Sequence, residues 1–158
     1  MTTDQYTEAL AALAAFPARL RAELAGLERA ALYFKPTGEW SIVENIGHLI
    51  DIDVLMGGRV GQIIARDQPT FVVLDVDEAV HKGDYQQKEA LFLLNTFAER
   101  RAALVEEWRY IQPANRNRTG IHPVGGPRTI EALVTYLPGH DEVHRQQIAA
   151  TLAAFQNR

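Results

Sequence analysis

An all-α fold, a four-helix bundle, is what this sequence predicts, and three observations predict it. Four stretches repeat apolar residues at alternating three- and four-residue steps, the spacing of a helix that buries one face. No stretch of comparable length alternates apolar and polar residues as a half-buried strand would. The chain has 158 residues, 47% of them hydrophobic and 23% charged, which suits one domain over residues 1–158 with a buried core.

The first helical stretch covers about residues 3 to 27, with Tyr6, Leu10, Leu13, Leu20, Leu24 and Leu27 as its seam. Pro17 interrupts it, so the helix kinks there or a second segment starts with Pro17 in its first turn. The second helix begins in "WSIVENIGHLIDID". Ser41, with Glu44 three residues later, forms a capping box that fixes the start. Its seam is Ile42, Ile46, Leu49, Met56, Val60 and Ile63. The third runs from about Gln86 to Ile111, with Leu91, Leu94, Ala98, Val105 and Trp108 in register. The fourth starts near Thr129, an N-cap by residue type, and runs to about Phe155. Its stripe is Ile130, Leu133, Leu137, His140, His144, Ile148 and Phe155.

Two linkers are long. Residues 67–85 suffice to cross a whole bundle, so the second and third helices can run parallel. Residues 112–128, "QPANRNRTGIHPVGGPR", read as a loop by their Gly, Pro and polar content.

Composition excludes several function classes. Net charge is −4 and no basic stripe is dense enough to track a phosphate backbone, which argues against nucleic-acid binding. There are no cysteines, so disulfides, thiolate catalysis and Cys-ligated metals are excluded; His, Asp and Glu remain for metal chemistry. The first residues carry no basic segment followed by an apolar one, as a secretory signal would. No apolar run approaches the roughly 20 residues needed to span a bilayer. The expected location is the cytoplasm, without a membrane partner.

Histidines carry the functional signal. His140 and His144 are one turn apart on one helix face, which lets two imidazoles reach one ion. A metal site needs a further protein ligand, and His48 sits at the rim of the apolar face of the second helix. The bland alternative is that all three are hydrogen-bonded core residues. Pro138 removes a helical hydrogen bond just before the pair, at roughly 3 kcal/mol, and Gly139 adds about 1 kcal/mol relative to alanine. Rule-breaking of this kind fits a bend that aims the histidines, or a kink tolerated by packing. His81 and His122 fall in the linkers and read as solvated.

Two segments carry a family resemblance. "EWSIVENIGHLIDID" followed by Arg59 holds the pattern W-S-x-x-E-x-x-x-H-L, and "GHDEVHRQQI" holds H-x-x-x-H-x-x-Q-I. In this order, and with "RTGIHPVGG" before the last helix, they resemble the DinB-like superfamily of small bacterial four-helix proteins, from about Pro17 to Leu152. The resemblance implies an up-down-down-up bundle, a homodimer, and a divalent metal on His48, His140 and His144. Zinc, nickel, iron and manganese all suit such a site. Some relatives are transferases or isomerases that use a low-molecular-weight thiol as cosubstrate; others are described as metal-dependent hydrolases, and many have no known activity. Relatives often carry a second histidine beside the last ligand, where this chain has Val143.

Three imidazoles leave open positions on a divalent ion, the mark of a catalytic site. Such an ion can bring the pKa of bound water to about 7 or activate a small thiol on a small-molecule substrate. Glu44 and Asp51, one turn before and after His48, are the candidates for a catalytic base. Asp53 and Arg101 each fall on an apolar seam and are expected to pair, with each other or with Arg59. Alternatively Arg59 and Arg101 hold an anionic substrate. Two other readings stay open: a metal-binding bundle of the stress response without turnover, and a structural bundle that dimerises.

Overall fold

The computed structural model describes residues 4–158. Four long helices, α1 (Gln5–Leu24), α3 (Ile42–Ala65), α5 (Ala90–Arg109) and α6 (Ile130–Gln156), form the bundle. Short helices α2 (Arg29–Tyr33) and α4 (Val76–Gly83) and a hairpin of β1 (Thr119–His122) and β2 (Gly126–Thr129) connect them. Each long helix packs on two others: α1 and α3 both lie against α5 and α6. α1 therefore sits diagonally from α3, and α5 from α6.

Contacts along each pair give the directions. Tyr6, near the start of α1, donates to the carbonyl of Trp108 near the end of α5, so these two are antiparallel. Asp53 meets Arg101 while Gly57 lies against Leu104, so α3 and α5 are parallel. Asn45 meets His144 while His48 meets His140, so α3 and α6 are antiparallel. The order is up-down-down-up, and the parallel α3–α5 pair requires the long connection that the sequence carries.

Capping follows the residue types. Ser41 and Glu44 form the reciprocal capping box at α3, Thr129 accepts from the Ala132 amide at α6, and Asp4 accepts from the Thr7 amide at α1. The helix expected from residue 3 starts at Gln5; residue 3 itself lies outside the described residues. Pro17 neither starts nor ends a segment: it is buried inside an unbroken α1. Pro138 likewise sits inside a continuous α6.

Three expectations need correction. The 67–85 linker is not bare, since it holds α4 and a 3₁₀ turn at Tyr85–Gln87; His81 lies in the last turn of α4. The 112–128 segment holds a 3₁₀ turn at Pro113–Asn115 and most of a hairpin, with Thr119 opposite Thr129 and His122 opposite Gly126. Ile121 also pairs with the chain at Pro69 and Phe71, so the hairpin anchors the long connection. Strands of four residues within a Gly- and Pro-rich stretch carry no readable alternation. The seam of α5 is Leu93, Phe97, Arg101, Leu104, Val105 and Trp108; of the expected seam Val105 and Trp108 are buried, while Leu91 is 61% exposed. Residues 90–94 are apolar all round and set no phase. Phe97 sets it, packed edge-on against Phe16 at 6.2 Å.

The core is in two parts. One apolar cluster gathers Leu13, Val60, Ile63, Trp108 and Val134; the other gathers Leu20, Ile46, Leu49, Phe97 and Ile148. A buried polar layer separates them. In it Arg101 of α5 donates to Asp53 of α3 at 3.0 Å and to Asp141 of α6 at 2.6 and 3.0 Å. It also reaches the carbonyl of Leu13 on α1 at 3.5 Å. One guanidinium thus ties all four helices. The expected Asp53–Arg101 pair is present, with Asp141 as its second carboxylate.

Tyr85 shows how closely the long connection is seated. Its ring lies on the bare Cα of Gly47, and a Cβ there would penetrate the ring. Its hydroxyl donates to Asp51 at 2.6 Å. Gly47→Ala should push Tyr85 out, break that bond and cost about 1–3 kcal/mol. Gly58→Ala on the same helix meets open space and should be neutral or stabilising by up to about 1 kcal/mol. Chemical denaturation of the two variants checks the contrast.

Candidate metal centre

Beside the Arg101 layer, α3 and α6 bring His48, His140 and His144 together. One ligand atom from each lies within 4.8 Å of the others. Nε2 of His48 and Nε2 of His140 are 3.3 Å apart. The ring centroids of His144 lie 4.4 Å from His48 and 4.5 Å from His140. His48 and His144 are buried and His140 is half-buried. The antiparallel crossing explains why a histidine on α3 meets a pair on α6.

Asn45 fixes the tautomer of His144. Its Nδ2 donates to the carbonyl of Ser41 at 3.0 Å, which turns Oδ1 toward His144. Oδ1 accepts from Nδ1 of His144 at 3.0 Å, so Nε2 keeps its lone pair for the cluster. Trp40 covers the site, its ring stacked 6.1 Å from His144 and tilted 4.9 Å from His48.

Burial holds all three imidazoles neutral. Desolvation, with the neighbouring His144 and His140, pulls the His48 pKa down to about 3. Desolvation and the Arg101 charge pull His140 to about 4. Desolvation and His140 pull His144 to about 4, against the opposing charge of Asp141.

The donor set fits a divalent cation. Neutral imidazole is a ligand for zinc, nickel and iron. Two nitrogens bound to one tetrahedral ion at about 2.0–2.1 Å stand roughly 3.3 Å apart, the spacing seen between His48 and His140. Nδ1 of His48 and Nδ1 of His140 are buried without a hydrogen-bond partner. Two buried rings and a half-buried one with so few partners are costly, and a cation at the converging nitrogens would satisfy one nitrogen of each ring.

The imidazoles open onto a pocket of about 750 Å³, a size usual for small-molecule sites. Ile52, Leu55, Met56 and Arg59 of α3 and Tyr136 and Gln147 of α6 also line it.

The two candidate carboxylates lie elsewhere. Glu44 is held in the capping box and by Lys35. Burial pushes its pKa up, and Lys35 and the Ser41 amide more than offset this. Asp51 accepts from Tyr85, and burial raises its pKa. Neither lines the pocket. His122 is outside the site too, its Nδ1 accepting from the Val124 and Gly125 amides in the hairpin turn. Asn45, Trp40 and Tyr136 were not singled out for roles by sequence reasoning. Asn45 and Tyr136 sit three and four residues before a site histidine, on its face, and that spacing was their signal.

Asn45→Ala should weaken metal binding about 10–100-fold by freeing the His144 tautomer. Competition against a chelator of known affinity checks this.

No helix among the described residues is long and apolar enough to cross a membrane. No curated protein matches the sequence significantly. The fold is that of YfiT from Bacillus subtilis, described as a probable metal-dependent hydrolase with an unusual four-helix bundle topology. The two share a TM-score of 0.89 at 16% identity, over 99% of this chain and 90% of the other. At that identity the likeness shows the fold. The family model of the DinB superfamily matches residues 12–148, most of the chain and both histidine segments, and the chain belongs to that superfamily.

Proposed function

We propose that the chain is a metal-dependent enzyme acting on a small molecule, with His48, His140 and His144 as ligands of a divalent transition metal. The observation that carries this is the convergence of three neutral imidazoles on the wall of a 750 Å³ pocket. Three protein ligands leave coordination positions facing that pocket, as in catalytic rather than structural sites. When bound, the ion supplies a Lewis acid that makes water, or a small thiol, nucleophilic near neutral pH. Hydrolysis is the reading we favour, since the fold is shared with a protein described as a probable metal-dependent hydrolase. Transfer to a low-molecular-weight thiol uses the same open positions.

The chain's own residues do the rest. Asn45 holds the His144 ring in its ligating tautomer. Trp40, Ile52 and Met56 keep water from the imidazoles and strengthen every electrostatic contact there. Glu39 and Asp77 are the carboxylates that line the pocket, both exposed, and they are its available proton acceptors.

The test is a turnover screen of the metal-loaded chain on small esters, amides, lactones and phosphoesters, with and without cysteine or glutathione. Metal-dependent turnover that disappears in His144→Ala supports the reading. A chain that binds one equivalent of metal and turns over nothing is a metal-binding bundle rather than an enzyme.

A further inference from the structure

The pocket extends well beyond the histidines, along one face of α3. His48, Ile52, Leu55 and Arg59 follow one another at four-, three- and four-residue steps, which stacks them on that face. All four line the pocket. The eleven-residue step from His48 to Arg59 spans roughly 16 Å of helix axis.

Arg59 is poorly satisfied for a cation so placed. Its Nη2 donates to the carbonyl of Val72 at 3.3 Å, and its guanidinium lies over the Phe71 ring at 5.1 Å. Its Nε is buried with no hydrogen-bond partner. Among the described residues it forms no ion pair, whereas Arg101, Arg116 and Arg145 each meet a carboxylate. Glu39 and Asp77 line the same pocket but are exposed, and neither is paired with Arg59. Burial lowers the Arg59 pKa, as expected of a desolvated cation without a counter-charge. Guanidinium stays charged even so, and its planar fork suits an oxyanion.

We propose that Arg59 is a substrate-binding residue that holds an oxyanion, such as a carboxylate, at the end of the pocket remote from the three histidines. The substrate is then elongated: its reactive group lies at the imidazoles, an apolar segment lies against Ile52, Leu55 and Met56, and its charged end meets Arg59. The substrate class rests on the enzymatic reading above, but the anion site does not require the metal.

The experiment titrates the full chain, as purified, with octanoate and with octanol, following heat. The chain, Arg59→Gln, Arg59→Lys and His140→Ala are compared. Octanoate should bind about tenfold more tightly than octanol to the unaltered chain, the value of one charge-assisted contact. Arg59→Gln should abolish that preference, Arg59→Lys should retain part of it, and His140→Ala should retain it fully. A preference that survives in Arg59→Gln, or is lost in His140→Ala instead, places the carboxylate on another cation and overturns the proposal. Equal binding of octanoate and octanol overturns it as well. Elemental analysis of the same samples reads the metal separately, so a metal-free chain that keeps the Arg59-dependent preference defeats the metal reading alone.

Discussion

Arg101→Met should cost about 3–5 kcal/mol, enough to unfold a marginal domain at growth temperature. The guanidinium is 1% exposed and faces two carboxylates that are equally buried. Removing it leaves Asp53 and Asp141 as uncompensated charges a few ångströms apart, between two apolar clusters. The cost lies in the stranded carboxylates, not in the worth of the ion pair. Replacing all three together, Arg101→Met with Asp53→Leu and Asp141→Leu, should therefore recover most of the loss, because an apolar triad of similar volume needs no counter-charge. Urea denaturation of the single and triple variants measures both. A triple variant as unstable as the single one would mean that the triad contributes net stability.

His48→Leu should do two opposite things. It should abolish metal binding, since two ligands remain. It should also stabilise the metal-free chain, by about 1–3 kcal/mol, because the His48 ring is buried with Nδ1 unpartnered. Sites kept for chemistry break the rules of packing, and removing the chemistry relaxes the fold. Thermal melts with and without added zinc or nickel separate the effects. The unaltered chain should melt higher with metal, while His48→Leu should melt at one temperature regardless. A variant less stable than the parent without metal would mean that the imidazole is a satisfied core residue.

Much of this was legible in the sequence, for identifiable reasons. Ser41 with Glu44 and Thr129 mark helix starts because capping needs particular side chains at particular offsets. The meeting of the three histidines was legible because a one-turn pair and an inward histidine on another helix can face one another across the bundle. The parallel α3–α5 pair was legible in the length of the 67–85 segment. The hairpin was not, because four-residue strands among Gly and Pro leave no period to detect. The phase of α5 was misread because "ALFLL" presents an apolar face in every direction, and only the partner Phe16 selects one. Asn45 and Trp40 were present in the quoted segment, but their contacts to His144 depend on how α3 crosses α6, which one helix alone does not encode. The sequence offers Arg59 and Arg101 as alternative holders of an anion; that Arg59 alone of the two lines the pocket of the histidines emerges from the fold.

The central claim is that His48, His140 and His144 hold one metal ion. Elemental analysis by mass spectrometry, on untagged protein purified without chelator, beside His140→Ala and His144→Ala, tests it most directly. The account predicts about one equivalent of a divalent transition metal in the unaltered chain, with the ion lost from both variants. A chain that takes up no zinc, nickel, iron or manganese, even on reconstitution, would contradict it and leave the three imidazoles as part of the bundle's polar layer.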